Sequence, residues 1–176
     1  MNTLFIAATE FELDVARELF RGTGHTFLCT GVGPDATLSS MDSVLSSGRR
    51  FDLAVDIGIC GSYTERLRTG TVVQVVTEQY GGQSDELLCN ADSPSVLAAL
   101  PRVSGNTVPE LDARYRKVDA DVETMEGAAF FVACLSRGIL FAEIRAVSNR
   151  VGETDHSFWD IPLALKNLKE SLKLLI

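Results

Sequence analysis

The sequence predicts an α/β fold, a three-layer α/β/α sandwich whose central sheet is mixed and mostly parallel. Three observations carry that expectation. Short apolar or β-branched runs alternate with helical patterns along the chain, as they do where strands and crossover helices succeed one another. Runs such as "LAVDIGICG" are apolar almost throughout, which marks strands covered on both faces. Several of these runs end in glycine turns, the punctuation of a chain that reverses beyond a strand.

The elements follow in order. "TLFIAA" (Thr3–Ala8) reads as a buried strand, and a helix follows over about Glu12–Phe20. Thr9 and Glu12 stand three apart at that junction, the spacing of a capping box. "TFLCTGVG" (Thr26–Gly33) is a strand running into a glycine turn. The next helix begins at a proline and ends at a glycine, in "PDATLSSMDSVLSSG". "LAVDIGICG" (Leu53–Gly61) and "GTVVQVVTEQ" (Gly70–Gln79) read as strands. The polar stretch from Gly81 to Pro94 reads as a surface excursion. A short helix over Pro94–Leu100, a strand near Arg102–Thr107 and a short helix around Pro109–Arg116 are expected after it. In "VETMEGAAFFVACLSRG", Met125, Ala128, Ala129, Val132 and Ala133 recur at helical spacing and Gly138 closes the helix. "ILFAEIRAVS" (Ile139–Ser148) is the last strong strand. Leu165, Leu168, Leu172 and Leu175 form the apolar stripe of a terminal helix.

With 176 residues, the chain reads as one domain over 1–176, long enough to bury a substantial core. Sixteen basic against 24 acidic residues give a formal charge of -8. That balance argues against nucleic acid, whose phosphates need clustered Lys and Arg, and less strongly against an anionic membrane surface. No apolar run approaches the ~20 residues needed to span a bilayer. The N-terminus lacks a basic n-region, so a cytoplasmic location is expected. Cys29, Cys60, Cys89 and Cys134 show no C-x-x-C and no clustering with His25 or His156. They read as reduced packing residues, and no metal site is expected.

Ligands of such sheets collect beyond the carboxyl ends of the strands. "ATEFE", "TGVG", "GICGS" and "VSNRVG" fall there, and "VETMEG" opens a helix that can point the same way. The sequence has no G-x-x-x-x-G-K-[ST], and "GTGHTF" does not complete a dinucleotide fingerprint. A G-x-S-x-G elbow is also lacking. Carboxylates remain. Glu10, Glu12, Glu123 and Glu126 lie where helix N-termini are expected, a setting that suits an anion whether it caps or catalyses. Glu126, among small and apolar residues, must find hydrogen-bond donors. Asn149, at a strand's carboxyl end, offers one acceptor and two donors, a set suited to a heterocyclic edge. Arg145, inside a strand that reads as buried, needs an anionic partner.

Together these segments resemble the nucleoside phosphorylase/nucleosidase superfamily, and within it the futalosine hydrolase family. "AATEFEL" is similar to the turn that carries the catalytic glutamate of methylthioadenosine/S-adenosylhomocysteine nucleosidases. "TGVG" and "DIGICGS" are similar to the family's glycine turns, and "VETMEGAAFF" and "RAVSNRVG" to its ribose-binding and purine-binding segments. The resemblance implies a shortened version of that fold, with matches from the first strand to about Gly152 and no cofactor. It implies that Glu12 is the general base that activates water, and that Asn149 binds the purine at N7 and the 6-substituent. Met125 and Glu126 would hold the ribose, and Gly61 would let the base approach the backbone. Gly31 and Gly33 would shape the sugar side, with Ile59, Thr124 and Ser148 completing the substrate-binding set.

Two departures from the related families bear on the substrate. The methylthioadenosine branch has an aspartate where this chain has Asn149, and an amide matches a 6-oxopurine such as hypoxanthine. The first turn, "ATEFE", has no arginine and carries acid that would repel phosphate, so water is the expected nucleophile. The expected activity is thus hydrolysis of futalosine. The rivals are a methylthioadenosine/S-adenosylhomocysteine nucleosidase, a purine nucleoside phosphorylase and a silent nucleoside-binding module. No clear counterpart exists for the family's purine-stacking aromatic, since Tyr80, Phe130 and Trp159 each read first as core or interface. A homo-oligomer, dimer or higher, in which a neighbouring subunit closes the pocket is expected.

Overall fold

Five strands close into a ring at the centre of the computed structural model, which describes residues 1–81, 88–90, 99–116, 119–153 and 155–175. The described elements are β1 (Thr3–Ala7), α1 (Glu10–Leu19), β2 (Thr26–Cys29), α2 (Pro34–Leu45), β3 (Leu53–Ser62), β4 (Val72–Tyr80), β5 (Leu88–Cys89) and β6 (Arg102–Thr107). They continue with β7 (Val122–Thr124), α3 (Gly127–Leu135), β8 (Phe141–Arg150) and α4 (Ile161–Leu172). In the ring, β3 pairs with β8, β8 with β4, β4 with β6, β6 with β7, and β7 returns to β3. Two strands continue the sheet from β3, in the order β3-β1-β2. The pairings are parallel except β3–β7, β4–β5 and β4–β8, so the sheet is mixed and mostly parallel.

Strand alternation divides the core. Phe5 and Ala7 of β1 join Leu13 and Ala16 of α1 and Leu168 and Leu172 of α4 in one cluster. Leu4 and Ile6 turn the other way, onto Met41 of α2 and Phe130, Phe131 and Cys134 of α3. A third cluster, with Cys60, Val73, Val75, Val103, Val122 and Val147, draws on the ring strands. Burial pushes the Cys60 thiol up to about 12, which leaves it a packing residue with almost no thiolate.

Several expected boundaries moved. The helix at Thr9 starts at Glu10, because the capping residue precedes it directly. The run expected to be a helix from "VETMEG" onward is a strand first and a helix only from Gly127. Glu123 therefore sits on β7, not at a helix N-terminus, and accepts a hydrogen bond from the Tyr63 hydroxyl. Around Pro109–Arg116 only a 3₁₀ turn forms, over Ala113–Tyr115, capped by Asp112. The excursion after Gly81 and the helix expected over Pro94–Leu100 lie largely outside the described residues. The terminal helix buries Ala164, Leu168 and Leu172 and gives way to a 3₁₀ turn at Lys173–Leu175. Among the described residues, no helix is long and apolar enough to cross a membrane.

Candidate functional site

The neighbours of β3 create the site. One edge of β3 pairs with β1 over Leu53–Asp56 and with β7 at Gly61–Ser62. Between those stretches no strand lies alongside among the described residues, and a backbone donor left there needs a partner. Glu12 supplies it, with Oε1 accepting from the Ile59 N–H at 2.9 Å. The other oxygen, Oε2, accepts from the Thr9 N–H at 3.2 Å and from the Thr9 hydroxyl. One carboxylate thus caps α1 with one oxygen and reaches the sheet with the other. Cap and site residue are the same group, 4% exposed.

Glu126 arrives from the opposite side. It is the N-cap of α3, and its Oε1 accepts from the Gly33 N–H at 3.0 Å. Gly33 is the N-cap of α2 and holds φ 96, a conformation open to glycine and strained for other residues. The two helix N-termini are therefore joined through one carboxylate. Burial raises the Glu126 pKa, while the Arg145 charge and the Gly33 N–H oppose that rise.

Arg145, 1% exposed, lies beneath both. Its Nη2 binds Asp56, its Nε donates to Glu143 Oε1 at 2.8 Å, and its Nη1 stands 3.8 Å from Glu126 Oε2. Burial works against the guanidinium charge, but Asp56, Glu143 and Glu126 outweigh it and keep the group protonated. The β3 neighbour of Arg145 in register is Gly58. A Cβ there would lie 2.4 Å from Arg145 Nη1 and 2.8 Å from Glu12 Oε1, so Gly58 makes room for both groups.

Ser148 and Asn149 are redirected by a bulge. Cys60 pairs with Val147 and Gly61 with Asn149, so Ser148 is the extra residue, a device that re-aims side chains beside sites. Asn149 Oδ1 accepts from the Ser148 hydroxyl at 2.8 Å, and its Nδ2 donates to the Arg150 carbonyl at 2.9 Å. That arrangement suits an amide. A carboxylate at 149 would face the Arg150 carbonyl with no proton to offer. It also leaves one amide hydrogen, instead of two, for a ligand. Gly61 faces this amide, since a Cβ there would sit 3.5 Å from Asn149 Nδ2 and 3.0 Å from Val151.

The remaining expected site residues divide. Gly31, at φ 84, lies against Ala36 in the turn before α2. Ile59, Gly61 and Met125 are half-buried. Thr124 turns inward, where its hydroxyl contacts Thr107 at 3.3 Å, Glu78 at 3.4 Å and the Gly127 N–H at 3.4 Å. Its side chain is thus engaged in the core. Glu10 is exposed and pairs with Arg17. His25 packs edge-on against Phe5 and Phe20, and His156 stacks with Trp159. Phe130 is fully buried and Tyr80 is 42% exposed.

The chain is similar to known proteins. Residues 94–176 match the Phosphorylase superfamily. The chain is 42% identical to futalosine hydrolase of Acidothermus cellulolyticus over 69 residues, which are 39% of this chain and 28% of that protein. It is 29% identical to the futalosine hydrolase of Streptomyces coelicolor over 181 aligned residues, 85% of this chain and 77% of that protein. The match spans less than a third of the length of the relatives from Acidothermus cellulolyticus and Thermus thermophilus. Among solved structures, futalosine hydrolase of Helicobacter pylori superposes with a TM-score of 0.82 at 14% identity, covering 99% of this chain and 97% of that one. A methylthioadenosine/S-adenosylhomocysteine nucleosidase of Colwellia psychrerythraea, in complex with adenine, gives 0.81 at 19% identity, covering 99% and 93%. The chain therefore has a mixed α/β fold like that of these solved structures, with a central mixed sheet.

Sequence reasoning missed Asp56, Glu78 and Glu143, all buried in the strands below the site. Asp56 and Glu143 sit within apolar runs, where the odd charge was the available signal, whereas Glu78 lies between Thr77 and Gln79 and gave none. For Arg145 that signal was read, and three anionic neighbours are found.

Proposed function

We propose that this chain is a purine nucleosidase that hydrolyses the N-glycosidic bond of futalosine to hypoxanthine and dehypoxanthine futalosine, a step of menaquinone biosynthesis. The observation that carries the reading is Glu12. Its carboxylate is anchored at once to the start of α1 and to the open edge of β3, with Glu126 and Arg145 close by. A fixed carboxylate at that place takes a proton from water as the oxygen bonds to the anomeric carbon. The bond to the purine breaks with its electron pair leaving on the base, which takes up a proton from solvent to become hypoxanthine, while Glu12 returns its own proton to solvent. The sugar passes through an oxocarbenium-like state that nearby anions stabilise.

In this reading Glu126 accepts from the ribose hydroxyls beside Met125, and Gly31 and Gly33 shape the sugar side. Asn149 gives its remaining amide hydrogen to the N7/O6 edge, held by Ser148, while Gly61 and Ile59 line the base. Thr124 acts through its inward hydroxyl, supporting the turn that presents Glu126. The relatives named for futalosine hydrolysis support the substrate. The likeness to methylthioadenosine/S-adenosylhomocysteine nucleosidases supports a second reading, against which stands the amide at 149. The chain folds in this reading as one domain, a shortened three-layer α/β/α sandwich. It acts as a cytoplasmic homo-oligomer whose neighbouring subunit closes the pocket.

Incubation with futalosine in phosphate-free buffer is expected to release hypoxanthine. Cleavage of methylthioadenosine with futalosine left intact would replace this reading by the second, and turnover only with phosphate would make the protein a phosphorylase. Futalosine binding without product would make it a binding module. Glu12→Gln is expected to lower kcat by about 10²–10⁴-fold, the loss of a general base. It also costs about 1–3 kcal/mol of stability in urea melts, because an amide cannot accept at both Thr9 and Ile59.

A further inference from the structure

The proposed hydrolysis leaves a deeper layer of charge without a task. Arg145 divides its nitrogens, with Nη2 on Asp56 and Nε on Glu143, so Nη1 is the nitrogen that faces Glu12 and Glu126. Behind Glu143 lies Glu78, fully buried. Their Oε1 atoms meet over Gly127, where a Cβ would be 2.4 Å from Glu78 and 2.8 Å from Glu143. Gly105 opens the same slot, since a Cβ there would come within 2.0 Å of Glu78 Oε1. Thr107 donates to Glu78 Oε2 at 2.9 Å and accepts from the Ala128 N–H at 2.7 Å. A continuous chain of contacts therefore runs from the first turn of α3 through Thr107, Glu78 and Glu143 to Arg145.

We propose that Glu143 is a positioning residue which, with Asp56, fixes the guanidinium plane so that Nη1 faces Glu12 and Glu126, and that Glu78 backs it as a neutral acid donating to Glu143. The inference rests on the nucleosidase reading of that site. Glu12, Asp56, Glu78, Glu126 and Glu143 crowd a single buried guanidinium, and like charges at such distances cannot all be ionised. Burial and then the neighbouring Glu143 push Glu78 far up from its ordinary range, so Glu78 keeps its proton. Burial also raises Glu143, but the charge and hydrogen bond of Arg145 oppose that rise, and Glu78 helps. The proton therefore sits on the carboxyl farther from the arginine. Two anions gripping Nε and Nη2 hold a planar fork in one orientation, whereas one anion leaves it free to turn.

The test compares Glu143→Gln and Glu78→Gln in the full-length protein, with futalosine turnover and the ¹⁵N-resolved Arg145 Nε–H resonance as readouts. Glu143→Gln is expected to lower kcat by about 10- to 100-fold with KM changed less than about threefold, as when an orienting partner is lost. The Nε–H resonance should shift at the same time. Glu78→Gln keeps a donor opposite Glu143 and should cost far less. Wild-type kcat per folded molecule in Glu143→Gln, with an unmoved resonance, would overturn the positioning role. An equal loss in both variants would overturn the neutral state of Glu78. Should Glu143→Gln not fold, Glu143→Asp carries the same two readouts. Absence of purine release by the wild type would sink the nucleosidase reading instead, and the Arg145 resonance would still decide the clamp.

Discussion

β3 and β8 run side by side in parallel, yet their two ends are built from different materials. At the start lie Leu53, Ala54 and Val55 against Phe141 and Ala142, all at most 2% exposed. Farther along lie Gly58, Gly61 and Ser62 against Arg145, Ser148 and Asn149, with Asp56 and Glu143 at the boundary. The lower part removes apolar surface from water and stabilises the fold. The upper part buries charge, which is costly unless each group is paired. The same two strands thus carry the stabilising core and the groups that strain it.

Removing the cation that links the two ends should have the largest effect. Arg145→Met leaves Asp56 and Glu143 buried without compensation. It is expected to cost about 3–5 kcal/mol in chemical denaturation and to abolish measurable turnover. A change confined to the lower end should separate stability from activity. Phe131 packs edge-on with Phe141 at 4.8 Å, and Phe131→Ala is expected to cost about 3 kcal/mol while kcat per folded molecule stays within about twofold. Wild-type stability in that variant would mean that the lower end is not the stabilising part.

The smallest effect is a matter of protons. Asp56, Glu78, Glu126 and Glu143 are all raised, foremost by burial. In the folded state each therefore gives up its proton at a higher pH than in the unfolded chain, Glu78 being the one that no arginine nitrogen binds. Their contribution is complete below the ordinary carboxylate range and is lost as pH rises through the raised values, so folding stability should fall with increasing pH. The urea midpoint is expected to be lower at about pH 8 than at about pH 6. The slope should steepen in Arg145→Met, where the arginine no longer opposes the rise of Asp56 and Glu143, and stay unchanged in Phe131→Ala. A midpoint that stays level between these pH values would show that the buried acids are ionised throughout.

The regular elements were largely legible, because periodicity and punctuation are local. Strands at Thr3, Thr26, Leu53 and Arg102, and helices opened by Thr9 and Pro34, appear where their patterns lie. β7 was not, because three residues are too few for a period and "VET" runs without a break into the apolar helix. Glu12 and Glu126 were legible as candidates because helix starts favour acid. Asp56, Glu78 and Glu143 were not, since their partners lie on other strands and are brought beside them only when the ring closes.

The chain's own pattern therefore determined the alternation of strands and helices, the acidic residues at the helix starts and the glycine turns between them. Only tertiary structure decided what each group does. Thr9 and Glu12 are three residues apart, and their cap is written in sequence. Ile59 is 47 residues away, and its N–H is open only because β1 ends and β7 begins on either side of it. A hydrogen bond of that kind depends on which strands fail to meet, and no local pattern encodes a gap.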